Sequence, residues 1–87
     1  MPTVHLPTPL RPLAGGAATV EVEGATIGEL IDALEARHPG IRERLIHDGR
    51  LRGSIAVFIN DQAPLGGLQA RVPPDASVYL APAIAGG

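Results

Sequence analysis

Thr26-Ile27-Gly28-Glu29-Leu30-Ile31-Asp32-Ala33-Leu34-Glu35-Ala36-Arg37-His38-Pro39-Gly40 reads as one helix with both of its ends marked. Thr26 with Glu29 three residues on is a capping box: the hydroxyl accepts from an amide of the first turn, and the carboxylate is expected to reach back to the amide of Thr26. Ile27, Leu30, Ile31 and Leu34 recur at helical spacing with His38 in the same register, while Glu29, Asp32, Glu35 and Arg37 line the opposite side. Pro39-Gly40 ends the run. A helix with a single apolar stripe needs another layer to cover it.

The flanking segments supply that layer as strands. Thr3-Val4-His5-Leu6 reads as a short strand stopped by Pro7, Pro9 and Pro12, which lack the amide a ladder needs; a loop to Gly15-Gly16 follows. Residues 18–23 alternate, with Ala18, Val20 and Val22 on one face and Thr19, Glu21 and Glu23 on the other, completing a hairpin. Beyond the helix, Ile41, Leu45 and Ile46 predict a further helical turn before an Asp48-Gly49 turn. Ser54-Ile55-Ala56-Val57-Phe58-Ile59 is the strongest strand, expected at the centre of the sheet and closed by Asn60-Asp61. An irregular segment and the Pro73-Pro74-Asp75 turn lead to a last strand, Ser77-Val78-Tyr79-Leu80-Ala81. The order ββαβ(β)β predicts an α+β domain, a mixed sheet with one main helix packed on one face: the ubiquitin-like β-grasp. The expected division is a domain over residues 1–81 and a flexible C-terminal tail over residues 82–87.

Composition narrows the chemistry. The 87 residues contain no Cys, so the chain offers no thiolate for redox work, nucleophilic attack or metal binding. All seven basic residues are Arg, which removes Schiff-base chemistry and any lysine acceptor. A net charge of −2 without a basic stripe argues against nucleic acid, and no apolar run or signal-like N-terminus argues for a membrane or export, so a cytoplasmic location is expected. His5, His38 and His47 lie on different segments without ligand spacing and predict no metal site. Neither Ser54 nor Ser77 sits in a nucleophile-elbow context.

What remains is the terminus, Pro82-Ala83-Ile84-Ala85-Gly86-Gly87. Without a Cβ, glycine lets a backbone thread a narrow channel and lie against a nucleotide phosphate. A carboxylate is a poor electrophile, but as a mixed anhydride with AMP its carbonyl can be attacked by a sulfur nucleophile, giving a thiocarboxylate with loss of AMP. Gly87 would supply the reacting carboxyl and Gly86 the slimness that delivers it.

Several motifs then converge on one family. Leu6-Pro7-Thr8, Leu10-Arg11-Pro12, Gly15-Gly16, Gly40-Ile41-Arg42-Glu43-Arg44-Leu45, Asn60-Asp61, Ser77-Val78, Pro82-Ala83 and Ala85-Gly86-Gly87 resemble the MoaD/ThiS family of prokaryotic sulfur carriers over nearly the whole chain. The likeness is greatest to the carriers that serve thiocarboxylate-dependent cysteine biosynthesis. Where those carriers tend to continue with acidic residues and an aromatic, this chain has Gln62-Ala63-Pro64-Leu65. The resemblance implies a sulfur-carrying protein substrate rather than an enzyme. Its implied partners are an E1-like adenylyltransferase/sulfurtransferase and an acceptor biosynthetic enzyme, cysteine-synthase-like or other. ATP would be consumed by the adenylating partner, and the chain itself would hold no cofactor. Other acceptors stay open, among them molybdopterin, thiazole, tRNA thiolation and a specialised metabolite, as do a ubiquitin-like modifier and a plain interaction module.

Strand alternation places Phe58 and Tyr79 on the face away from the helix. With Pro82 and Ile84 they form an expected partner-binding patch, set against the plainer reading of a cross-strand aromatic pair that stiffens the sheet. Arg42, Arg44, Arg50 and Arg52 read as a solvated face or as contacts for an acidic partner.

Overall fold

The computed structural model describes residues 1–82; Ala83, Ile84, Ala85, Gly86 and Gly87 lie outside the described residues. Among the described residues six strands and two α-helices follow one another in the order β1 (Thr3–His5), β2 (Thr19–Glu21), α1 (Ile27–Arg37), α2 (Arg42–Leu45), β3 (Ile46–His47), β4 (Arg50–Leu51), β5 (Ile55–Ile59) and β6 (Ser77–Pro82). The main sheet runs β2-β1-β6-β5. β1 pairs antiparallel with β2 and parallel with β6, and β6 pairs antiparallel with β5. With α1 laid across one face, this is the β-grasp.

The helix forms as its sequence predicts. Thr26 adopts an extended conformation and its Oγ1 accepts from the Glu29 amide at 3.2 Å. The Glu29 carboxylate accepts at 3.0 Å from the amide of Ala25, one residue earlier than the capping-box reading placed it. Ile27, Leu30, Ile31 and Leu34 are buried against Val4, Val20, Val78 and Leu80 of the sheet, so the core is aliphatic. Past α1, the Glu35 carboxylate collects the amides of Gly40 and Arg42 at 3.1 and 2.8 Å, closing the corner into α2. Hydrogen bonding from the Arg42 and Gly40 amides holds the Glu35 carboxyl below its ordinary value. That contact therefore contributes stability above the unfolded-state carboxylate pKa and loses it as pH falls through the lowered one.

Several expectations are corrected. The segment after β1 is a 3-10 helix, Thr8–Ala14, rather than a loop: the fixed φ of proline suits its tight turns, and Leu10 and Ala14 enter the core. Ala18, expected on the buried face, is exposed; the strand narrows to Thr19–Glu21. The Asp48-Gly49 turn closes a separate hairpin of β3 and β4, both turn residues having positive φ as a two-residue hairpin turn demands. The last strand continues through Pro82, which pairs with Ile55 beyond the end of β1.

The largest correction concerns β5, which lies at the edge of the sheet, with β6 taking the centre. A run apolar on both faces reads as central, yet Ala56 is only half-buried and Phe58 is exposed. Its open side is capped at both ends by the chain itself. The Ile55 amide donates to the Arg52 carbonyl at 3.0 Å, and Ile59 exchanges hydrogen bonds with Gln62 at 2.8 and 3.0 Å. Such local capping blunts an edge that would otherwise recruit other strands.

Gly24 sets how closely the chain approaches α1. A Cβ there would fall 2.8 Å from the backbone nitrogen of Leu30 and 3.0 Å from the carbonyl carbon of Glu29. Gly24→Ala is therefore expected to cost about 1–3 kcal/mol, because the obstacle is helix backbone that cannot rotate away. Thermal unfolding checks this; an unchanged midpoint would show that the β2–α1 connection is loose.

Candidate functional site

Pleat alternation on three strands builds the site. Across the outer face, Thr19, His5, Tyr79 and Phe58 occupy one row: His5 is opposite Thr19 on β2 and Tyr79 on β6, and Tyr79 is opposite Phe58 on β5. The His5 and Tyr79 rings stack with centroids 3.9 Å apart and planes 10° from parallel. Tyr79 is 41% and Phe58 37% exposed, so the pair presents apolar surface to solvent. Phe58, Asp61, Tyr79 and Ala81 together line a shallow depression there.

The structure thus brings Phe58 and Tyr79 together, as alternation predicted. Pro82 is not part of the depression: three residues after Tyr79, it falls on the opposite pleat, with Leu80, and Ala81 occupies the outer position beside the aromatics. Ile84, Gly86 and Gly87 lie outside the described residues. His5 and Asp61 belong to the surface and were missed as contributors. The alternation of Thr3-Val4-His5 does place His5 outward, but only the parallel β1–β6 register puts its ring on Tyr79.

Elsewhere the body offers little chemistry. Among the described residues no polar or charged side chain is buried, so none is held as a desolvated acid, base or nucleophile. No group of three His, Cys, Asp or Glu side chains among them could hold a metal ion. His38 terminates α1, and His47 lies 3.3 Å from Asp48 in the β3–β4 hairpin, each far along the chain from His5. No helix among the described residues is long and apolar enough to cross a membrane. The aromatic patch lies partly on β6, the strand that leads directly into residues 83–87.

Comparison with known proteins adds the chemical context. The ThiS family model matches residues 4–87. The chain is 40% identical to the sulfur carrier protein CysO of Mycobacterium tuberculosis over 90 residues, covering 98% of this chain and 97% of that protein. Among solved structures, a chain of the Amycolatopsis orientalis BexX/CysO complex superposes with a TM-score of 0.92 at 42% identity, covering 100% of both chains. SAMP1 from Haloferax volcanii superposes with a TM-score of 0.75 at 32% identity, covering 99% of this chain and 98% of that one.

Proposed function

This chain belongs to the ThiS family, and from that premise we propose that the carboxyl of Gly87 is its reactive group. The protein is a sulfur carrier and not an enzyme, a conclusion carried by its full-length identity to CysO. In the proposed cycle an E1-like partner transfers AMP from ATP to the Gly87 carboxylate, releasing pyrophosphate. A partner-supplied persulfide then attacks the acyl carbonyl and AMP leaves; a second thiol, from the partner or a low-molecular-weight thiol, attacks the partner-side sulfur of the acyl disulfide, releasing the thiocarboxylate and leaving a disulfide on the partner. That sulfur is donated to an acceptor enzyme of cysteine biosynthesis in the cytoplasm. Support comes from the inert aliphatic body, from an aromatic patch placed on the strand that leads to the tail, and from a related CysO that is found in complex with a second protein.

Intact-mass measurement after incubation with the adenylating enzyme, ATP and a sulfur donor tests the cycle. The expected product has one oxygen replaced by sulfur at the C-terminus; a mass that never changes would overturn it. A second reading, conjugation to other proteins, is favoured by the likeness to a small archaeal modifier protein. It would appear in the host as a ladder of higher-mass conjugates.

Docking is tested separately. Phe58→Asp is expected to raise the KM for adenylation by about 10- to 30-fold, as loss of a central aromatic anchor does. Stability should fall by no more than about 1–2 kcal/mol, the cost of losing a half-covered strand aromatic to Asp, which a thermal melt separates from the KM effect. Undiminished adenylation would reduce Phe58 and Tyr79 to a pair that stiffens the sheet.

A further inference from the structure

The end of the sheet from which the tail departs carries a second feature, electrostatic rather than apolar. Ile55 is the last residue paired to β6, opposite Pro82. Its amide donates to the Arg52 carbonyl at 3.0 Å, so the turn over residues 52–55 stands beside the end of β6. Arg52 is anchored there: its amide donates to the Leu45 carbonyl and its Nε to the Glu43 carbonyl, each at 2.9 Å, tying the turn to α2. Glu43, Arg44, Arg52 and Ser54 line one open recess. Arg42 on the same short helix is engaged by Asp32 at 3.2 Å, whereas Arg44 is exposed and has no ion-pair partner among the described residues.

Charge is distributed unevenly along the chain. Residues 42–52 hold four Arg against Glu43 and Asp48, a local balance of +2. The remainder holds three Arg against seven acidic residues, a balance of −4. The recess of Arg44 and Arg52, net positive despite Glu43, therefore borders the turn beside the end of β6 on a protein that is otherwise acidic.

We infer that Arg44 and Arg52 form an electrostatic docking spot for an acidic patch at the mouth of the channel through which the adenylating enzyme receives the tail. This rests on the proposed adenylation of Gly87. The nucleotide phosphate is a poorer occupant. Residues 83–87 extended into a channel span up to roughly 17 Å, which carries the terminal carboxyl beyond reach of an arginine rooted beside Pro82. Nucleic acid is poorer still, since the spot is isolated and forms no stripe. Exposed charges at the rim of an interface act chiefly on encounter rate and salt dependence, leaving the chemical step alone.

The test is ATP–pyrophosphate exchange with the full chain and its purified adenylating enzyme at low and at physiological salt. Arg44→Glu is expected to raise the KM for the carrier roughly tenfold with kcat unchanged, and Arg44→Gln by less. The wild-type KM should climb with salt, and that of Arg44→Glu should change little or fall. Arg52 is left intact because its Nε bond supports the turn. Exchange by the wild type with Arg44→Glu within about twofold of it at both salts would overturn this inference alone. No exchange by the wild type would overturn the adenylation reading and this inference with it.

Discussion

Deleting Gly87 is expected to abolish sulfur loading, with adenylation falling by at least about 10²-fold while the fold is untouched. The new terminal carboxyl, on Gly86, would start about 3.5 Å short of the phosphate it must attack. In-line displacement is sensitive to misplacement of even an ångström, so a residue's length is a severe loss. Stability should not change, because the last strand ends at Pro82 and the last residue it contributes to the core is Leu80. Pyrophosphate exchange, intact mass and a thermal melt, measured on the same preparation, separate these effects. An alanine appended after Gly87 should fail in the same way. Full activity in either variant would mean that the reactive group is somewhere else.

Leu34→Ala carries the largest expected cost to the fold. Leu34 is completely buried in the third turn of α1, on the stripe that also contains Ile27, Leu30 and Ile31. Truncating such a side chain removes its transfer energy and leaves a cavity, together about 2–5 kcal/mol. A domain of 87 residues has a total stability of roughly 4–13 kcal/mol, so this one change can consume a large share of it. Denaturant unfolding should show a lower midpoint with the slope retained. Leu34→Met, close to volume-conserving, should cost less than about 1.5 kcal/mol. A cost for Leu34→Ala as small as that of a surface change, about 0.5 kcal/mol, would mean that the stripe is not the core seam.

Legibility of the site followed the range of the interactions involved. Thr26, Glu29 and the stripe from Ile27 to Leu34 were readable because helix contacts lie within four residues. Phe58 and Tyr79 were assigned to one outer face because strand alternation is equally local. His5 escaped because its contact with Tyr79 spans most of the chain. The same limit hid the edge position of β5, since an apolar run reports that a strand is covered but not which strands flank it. The turn at Arg52 was likewise invisible, its significance arising only from the pairing of Ile55 with Pro82.

Sequence by itself determined the β-grasp order, the aliphatic seam, the absence of cysteine and lysine side chains, and a diglycine as the candidate reactive end. These depend on residue identity and on spacings shorter than one element. Tertiary structure alone decided that β6 lies between β1 and β5, that His5, Tyr79 and Phe58 form one row, that Pro82 faces away from it, and that Arg44 and Arg52 line one recess by the turn beside the end of β6. Those facts arise from strand register, which forms between residues far apart in the chain and leaves no periodic trace in either partner.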